Sequence, residues 1–232
     1  NTAEVYNLMG SRYNSYWGFQ NGKQRNARIK TVEEPLLLLN HYFKINDKTN
    51  LQSGVLYQWG NISNSNIDFQ NANNPDPTYY RKMPSYYTSL YEKDNGEFSG
   101  AFIPDEENAE KSRLAFLENP QINWAALYQA NQQPILNSSG TIIGYEPSKS
   151  NYIVYEDRAD ETDLAANTLL NSQLSDAVTL TAGANFKTSK TQHYQKVIDL
   201  LGGSYFEDID TFYNGNQAQS DLNHPNRQVV EG

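Results

Sequence analysis

Two segments of the sequence alternate between apolar and polar residues over the length of a β-strand. In each segment the apolar residues share one parity, and in the first the opposite parity carries Gln52 and Gln58. Because successive side chains of a strand point to opposite faces of a sheet, each segment is predicted to be a strand with one apolar face. The apolar sets are Leu51, Val55, Tyr57 and Trp59 in the first segment and Val178, Leu180, Ala182, Ala184 and Phe186 in the second.

Each of these strands is predicted to be the second arm of a pair joined by a short turn of Asn, Asp, Ser and Lys residues. The two strand pairs cover about 26–60 and 151–190. A long polar segment, 61–150, lies between them, and a further loop is expected over 195–232. Short turns therefore lie at one end of the strands and long segments at the other.

Helix signals are confined to the long segments. Residues 105–118 are predicted to be helical, with Asp105 as the N-cap and acidic residues in the first turn. A second helix is expected within 121–131, and a short third one at 195–201. Residues 1–25 are rich in Asn, Tyr and Gly and are expected to be loop.

The asymmetry of turns and loops is typical of outer-membrane β-barrels, whose strands alternate apolar-out with polar-in. We therefore expect an all-β fold: part of a transmembrane antiparallel barrel with long extracellular loops that contain short helices. A soluble β-sandwich also alternates in this way, with its apolar side on a core, and stays open at this point.

Composition excludes several other classes. Acidic residues outnumber basic ones by 27 to 18, and Lys and Arg are scattered, which argues against nucleic acid as a partner. Absence of cysteine excludes disulfides and thiolate metal sites. The apolar runs are far shorter than the ~20 residues of a transmembrane helix. Tyrosine, used 17 times, suits boundaries between apolar and aqueous surroundings.

No catalytic or metal-binding constellation is recognisable. His41, His193 and His224 are widely separated, and the acidic run Glu207, Asp208 and Asp210 lacks the spacing of a calcium loop. We therefore expect no enzyme activity, no metal and no cofactor.

Aromatic and basic residues of the long segment are the candidate ligand contacts, because rigid aromatic side chains give contact area at low entropic cost. Arg81 could attract an anionic group, or it could pair with a carboxylate of its own loop. The tyrosines, and Trp124 with Tyr128, could equally be packing residues of the loop. The candidates are Tyr79, Tyr80, Arg81, Tyr86, Tyr87, Trp124 and Tyr128.

Several segments, in order along the chain, resemble one family. They are "YNSYWGFQNGKQRNAR", "EEPLLLLNHYFKIND", "NPDPTYYRKMPSYY", "INWAALYQAN", "NSQLSDAVTLTAGANF" and "DLNHPNRQVVEG". Together they cover nearly the whole chain. They resemble TonB-dependent outer-membrane receptors, specifically the subgroup with a carboxypeptidase-regulatory-like domain at the N-terminus.

This resemblance implies a barrel of about 22 strands with an internal plug, of which residues 1–232 would be part of the wall and loops. The plug and the N-terminal domain are expected to lie outside this chain. The resemblance also implies that the nine apolar residues of the two strands face lipid and that Gln52 and Gln58 face the lumen. The implied function is energy-coupled uptake of a scarce or large solute. Outer-membrane lipid and the TonB complex would be partners, and a surface lipoprotein is a further candidate.

Two other functions remain open. One is a soluble all-β surface module that binds glycan or protein through aromatic loops. The other is a receptor-like scaffold subunit of an outer-membrane complex. The resemblance does not identify the solute.

Overall fold

The computed structural model describes residues 2–70, 72–88, 93–94, 97–98, 104–208 and 228–231. These residues form mostly β-sheet with a few short helices, so the expected all-β class is confirmed at this level. The helices are α1 Thr2–Met9, α2 Pro84–Thr88, α3 Glu106–Glu118, α4 Trp124–Ala130 and a 3-10 turn, Tyr80–Lys82. None of the helices in these residues has the length and apolar content needed to cross a membrane.

The strands include three very long ones, β5, β10 and β11. In chain order the strands are β1 Trp17–Gln20, β2 Lys23–Asn26, β3 Lys30–Glu33, β4 Leu36–Asn46, β5 Thr49–Phe69, β6 Lys93–Asp94, β7 Glu97–Phe98, β8 Gln132–Leu136, β9 Ile142–Pro147, β10 Tyr152–Gln173, β11 Thr179–Asp199, β12 Tyr205–Asp208 and β13 Gln228–Glu231.

The chain divides into two compact units. Unit 1 contains Asn1–Arg28, Asn66–Tyr155 and Val197–Gly232, and unit 2 contains Ile29–Ser65 and Glu156–Lys196. Unit 1 holds the helices, the hairpins β1–β2 and β8–β9, and the pairs β6–β7 and β12–β13. Unit 2 holds an open sheet in the order β11-β10-β5-β3, in which β4 also pairs with β5.

Unit 1 has a conventional apolar core. Its centre is Trp124, whose side chain is 0% exposed, and the α4 residue Leu127 is buried with it. Both predicted helices of this region are confirmed, and each begins at a capping side chain. Asp105 accepts a hydrogen bond from the backbone N–H of Asn108, and Asn123 does the same for Ala126. Capping therefore fixes where α3 and α4 begin.

Unit 2 has no core of its own. All of its residues are described, and none of its apolar side chains is buried. Its order comes from backbone pairing, in which β4 lies antiparallel to β5 with Leu36 opposite Gln58. The sheet is therefore a single layer with both faces uncovered.

Several predicted boundaries are corrected. The strand predicted to run unbroken from about residue 26 is interrupted. β2 ends at Asn26, and β3 and β4, which both pair with β5, are separated at Glu34 and Pro35, where proline has no N–H to donate. The helix predicted at 195–201 is wrong, since β11 continues to Asp199. Residues 1–25 contain α1 and the β1–β2 hairpin rather than loop alone.

The strand pairs also run further than predicted, to Phe69 rather than about residue 60 and to Asp199 rather than about 190. Alternation ends near those predicted limits because most of the residues that follow are polar. Ladder hydrogen bonds do not require alternation, so the strands continue. Of the expected loop over 195–232, residues 209–227 and 232 lie outside the described part of the chain.

Candidate functional site

The register of β4 and β5 places apolar side chains together on one face of the unit 2 sheet. Leu37 lies opposite Tyr57, and Leu39 lies opposite Val55. Residues directly opposite each other in an antiparallel pair share a face. The odd-numbered residues of both strands therefore form one surface.

Strands β10 and β11 extend the same surface. The hydroxyl oxygens of Ser53 and Thr168 are 3.1 Å apart, so the even-numbered residues of β10 share the face of Ser53. Thr181 donates a hydrogen bond to Asn171 Oδ1 at 2.8 Å, so residues of equal parity on β10 and β11 share a face. This shared surface, called the apolar face, brings together the residues predicted to contact lipid: Leu51, Val55, Tyr57, Trp59, Leu180, Ala182, Ala184 and Phe186, with Val178 in the turn directly before β11.

These side chains are uncovered. Val178, Leu180 and Phe186 are 52%, 44% and 58% exposed. In a soluble sandwich the same residues would lie under a second layer. Within unit 2 no second layer is present, so what contacts this face lies outside the unit.

Aromatic rings stand at both ends of the apolar face. Tyr57 and Trp59 stack with centroids 5.2 Å apart at one end, and His41 and Phe43 stack at 5.9 Å towards the turn end. Leu51 and Trp59 are eight residues apart, or about 26 Å along a strand. Barrels in the outer membrane carry an apolar band about 25 Å tall between aromatic girdles.

Beyond Trp59 the long strands are polar on both faces. Residues 60–65 of β5, 156–163 of β10 and 187–196 of β11 are almost wholly polar or charged. Their side chains bond across the sheet, as in the hydrogen bond from Gln195 to Asp157 at 2.9 Å and the ion pair of Lys187 with Asp163 at 3.1 Å. All three strands therefore change from amphipathic to polar at the same position along the sheet.

One row of the apolar face is polar. It contains His41, Ser53 and Thr168, with His41 opposite Ser53. The hydroxyls of Ser53 and Thr168 satisfy each other, and the His41 ring stacks on Phe43. Such internal pairing lowers the cost of removing these groups from water.

The opposite face is rich in amides. Asn40, Asn167 and Asn185 line an open depression of about 350 Å³, with Gly54 between the first two. The Cβ of any larger residue at position 54 would lie 3.0 Å from Asn167 Oδ1. The same face also carries Leu38 opposite Leu56, so it mixes amide and apolar side chains.

In unit 1 the structure brings the predicted tyrosines together. The ring centroids of Tyr79 and Tyr80 are 4.8 Å apart, those of Tyr80 and Tyr86 are 5.7 Å apart, and those of Tyr86 and Tyr87 are 5.3 Å apart, all edge to face. This tyrosine cluster spans the 3-10 turn and α2. Glu4 of α1 supports it by accepting hydrogen bonds from the N–H and hydroxyl of Ser85.

Arg81 belongs to this cluster. Its Nε donates to the Tyr80 hydroxyl at 2.9 Å, and its guanidinium lies 5.6 Å from the Tyr80 ring centroid. This hydrogen bond lowers the pKa of Tyr80 and raises that of Arg81. In the described part of the chain Arg81 has no carboxylate partner, so the expected ion pair within its own loop is not found there.

Trp124 and Tyr128 do not join the tyrosine cluster. Trp124 is completely buried, and a buried ring has no surface to offer a ligand, so of the two roles left open for it the burial favours packing. The Arg25 guanidinium stacks 4.2 Å from the Trp124 ring and pairs with Asp199 at 2.7 Å. The Tyr128 hydroxyl donates to the same carboxylate at 3.1 Å. Arg25 and Asp199 carry no local sequence signal for this role.

No group of metal ligands is present among the residues that the structure describes. Glu207 pairs instead with Lys149, and both Asp210 and His224 lie outside the described residues. No model of a known protein family matches the chain, and no curated protein matches it.

Proposed function

We propose that this chain is part of the wall and loops of a TonB-dependent outer-membrane receptor that takes up a scarce or large solute. The observation that carries the proposal is the uncovered apolar face of unit 2, about 26 Å long and bounded by aromatic pairs, with polar strand extensions beyond it. The second support is that six segments of the sequence, in order along the chain, resemble segments of that receptor family.

The physical argument rests on what can cover such a face. Soluble monomers rarely expose contiguous apolar patches above a few hundred Å². Four strands spaced ~4.8 Å apart and about 26 Å long present a footprint of about 500 Å². In lipid this face needs no further protein layer, and the opposite, amide-rich face meets a water-filled lumen.

Backbone groups set the remaining requirement. An unpaired N–H or C=O costs several kcal/mol in lipid, so the outer edges of β4 and β11 must pair with further strands. In the proposed receptor those strands complete a closed barrel. Surface loops capture the solute, and a plug inside the barrel rearranges when the TonB complex in the inner membrane pulls on the receptor.

The test is a pair of arginine substitutions in the full-length protein. Val55→Arg puts a charge at the middle of the apolar face, which costs about 2–4 kcal/mol at the bilayer midplane. Gln58→Arg is the matched control, because Gln58 lies on the opposite, amide-rich face and lines a cleft with Asp163. We expect Val55→Arg to reduce assembly, measured as the heat-modifiable band on a gel, and Gln58→Arg to leave it near wild type.

Equal behaviour of the two variants would contradict the membrane proposal. A protein that stays monomeric and folded in buffer without detergent would favour the soluble binding module. Co-purification with stoichiometric partners, without uptake, would favour the scaffold.

A further inference from the structure

A cleft of about 560 Å³ in unit 1 lies between the 3-10 turn and α3. Three basic residues line it, Arg81, Lys82 and Lys111, and no acidic residue does so among those described. This is unexpected in a chain with 27 acidic and 18 basic residues. The volume falls in the range of small-molecule sites, about 300–1,000 Å³.

Arg81 is the least neutralised of the three cations. Among the described residues its hydrogen bond is the one that Nε donates to the neutral hydroxyl of Tyr80, and its guanidinium lies over the ring of the same residue. Its two terminal nitrogens make no hydrogen bond to a described residue. A guanidinium fork of this kind binds a carboxylate through two parallel hydrogen bonds.

The two lysines are partly engaged. Lys82 donates to the carbonyl oxygens of Asn74 and Asp76, the second at 3.1 Å, and the negative charge of the Asp76 carboxylate also acts on its ammonium group. Lys111 pairs with Glu107 one turn earlier on α3. That pair is well exposed, so it is weak and its lysine can turn to another anion at little cost.

The rest of the cleft offers neutral hydrogen-bonding groups and the rings of Tyr87 and Phe116. Tyr87, Ser112 and Asn123 line it beside the basic residues. Tyr87 also belongs to the tyrosine cluster, so the cleft and the cluster form one surface of unit 1.

We propose that this cationic cleft binds a small organic acid that carries at least two carboxylates. One carboxylate lies on the Arg81 fork, and a second lies between the ammonium groups of Lys82 and Lys111. The inference names the class of solute for the proposed receptor and rests on that function only for the transport steps after capture. The binding itself involves unit 1 alone.

The test uses propane-1,2,3-tricarboxylate as the probe and calorimetric titration of the full-length protein. We expect binding that weakens with added salt and that falls about tenfold or more in Arg81→Gln. Arg113→Gln is the matched control, because it removes the same charge from α3. Arg113 is bonded to Glu110 through two nitrogens and does not line the cleft. The affinity of Arg113→Gln for the probe should stay within about twofold of wild type.

Three results would overturn the proposal: no heat of binding up to about 10 mM probe, equal loss of affinity in both variants, or inorganic phosphate bound while the tricarboxylate is not. Arg81 is exposed, so Arg81→Gln is not expected to unfold the chain. If the tricarboxylate does not bind but Val55→Arg impairs assembly as expected, the binding proposal is wrong and the membrane proposal stands. If the tricarboxylate binds as expected but Val55→Arg and Gln58→Arg behave alike, the binding proposal stands and the membrane proposal is wrong.

Discussion

At the scale of single residues, one buried amide organises unit 1. Asn131 ends α4 and is completely buried. Its Nδ2 lies within hydrogen-bonding distance of the carbonyl oxygens of Tyr152, Leu200 and Leu201, at 2.7, 2.9 and 3.2 Å. Its Oδ1 accepts from the N–H groups of Asn151 and Tyr152. One side chain thus joins α4 to the start of β10 and to the turn after β11.

Asn131→Asp tests this role, because it keeps the shape and removes the donor. Carbonyl oxygens would then face a buried carboxylate, which should destabilise unit 1 by about 3 kcal/mol or more. Urea unfolding followed by tryptophan fluorescence measures the loss. The control is Asn137→Asp in the exposed β8–β9 turn, where only Oδ1 is used, as an acceptor for Ser139 and Thr141. A similar midpoint shift in both variants would contradict the assignment.

The cap of α3 gives a pH dependence. Hydrogen bonds from the Asn108 backbone and side chain lower the pKa of Asp105. A carboxylate with a lowered folded pKa stabilises the fold above its unfolded pKa of about 3.9, and this contribution is lost as pH falls through the folded value. We therefore expect the amide of Asn108 to stay protected from hydrogen exchange at neutral pH and to lose protection in acid.

Two variants separate charge from hydrogen bonding at this cap. Asp105→Asn keeps an acceptor and should retain most of the protection at all pH values. Asp105→Ala should lose it even at neutral pH. If Asp105→Ala exchanged like wild type, Asp105 would not be the functional cap.

At the scale of elements, the junction of β3 and β4 depends on a glycine in the facing strand. Both strands pair with β5, and Gly60 of β5 lies where one gives way to the other, with φ of 151°. A Cβ at this position would lie 1.8 Å from the Glu33 carbonyl oxygen. Only glycine fits both the dihedral angle and the approach.

Gly60→Ala should therefore destabilise the sheet by at least about 2 kcal/mol, through backbone strain and a displaced β3. The midpoint of denaturant unfolding in detergent measures this. Gly144→Ala is the control, since its Cβ would meet only the Ile135 side chain, at an ordinary 3.7 Å. Equal midpoints for the two variants would show that β5 can relax at Gly60.

At the scale of the whole molecule, the proposal turns on which solvent meets the apolar face of unit 2. The chain has three tryptophans, of which Trp59 lies on this face and Trp124 is buried in unit 1. Their different surroundings make fluorescence a direct probe of the face.

Brominated lipids quench tryptophans that contact the bilayer. In reconstituted full-length protein, we expect Trp59→Phe to remove much of the quenching and Trp124→Phe to remove little, because interfacial aromatics lie at the level of the headgroups. Quenching that is unchanged in Trp59→Phe would mean that lipid does not reach the apolar face.

The sequence alone predicted the features set by local chemistry. Alternation identified the strands around Val55 and Phe186, and capping residues identified α3 and α4, because each signal acts within a few residues. Alternation also assigned the nine apolar residues to a face, since parity needs no knowledge of partners.

Tertiary structure decided what depends on distant neighbours. The polar halves of β5, β10 and β11 are strands because other strands pair with them, which their own residues do not encode. Burial of Trp124, the polar contacts of the Asn131 amide and the gathering of Arg81, Lys82 and Lys111 around one cleft join residues far apart in the chain. Such contacts depend on how the elements pack, so no local pattern predicts them.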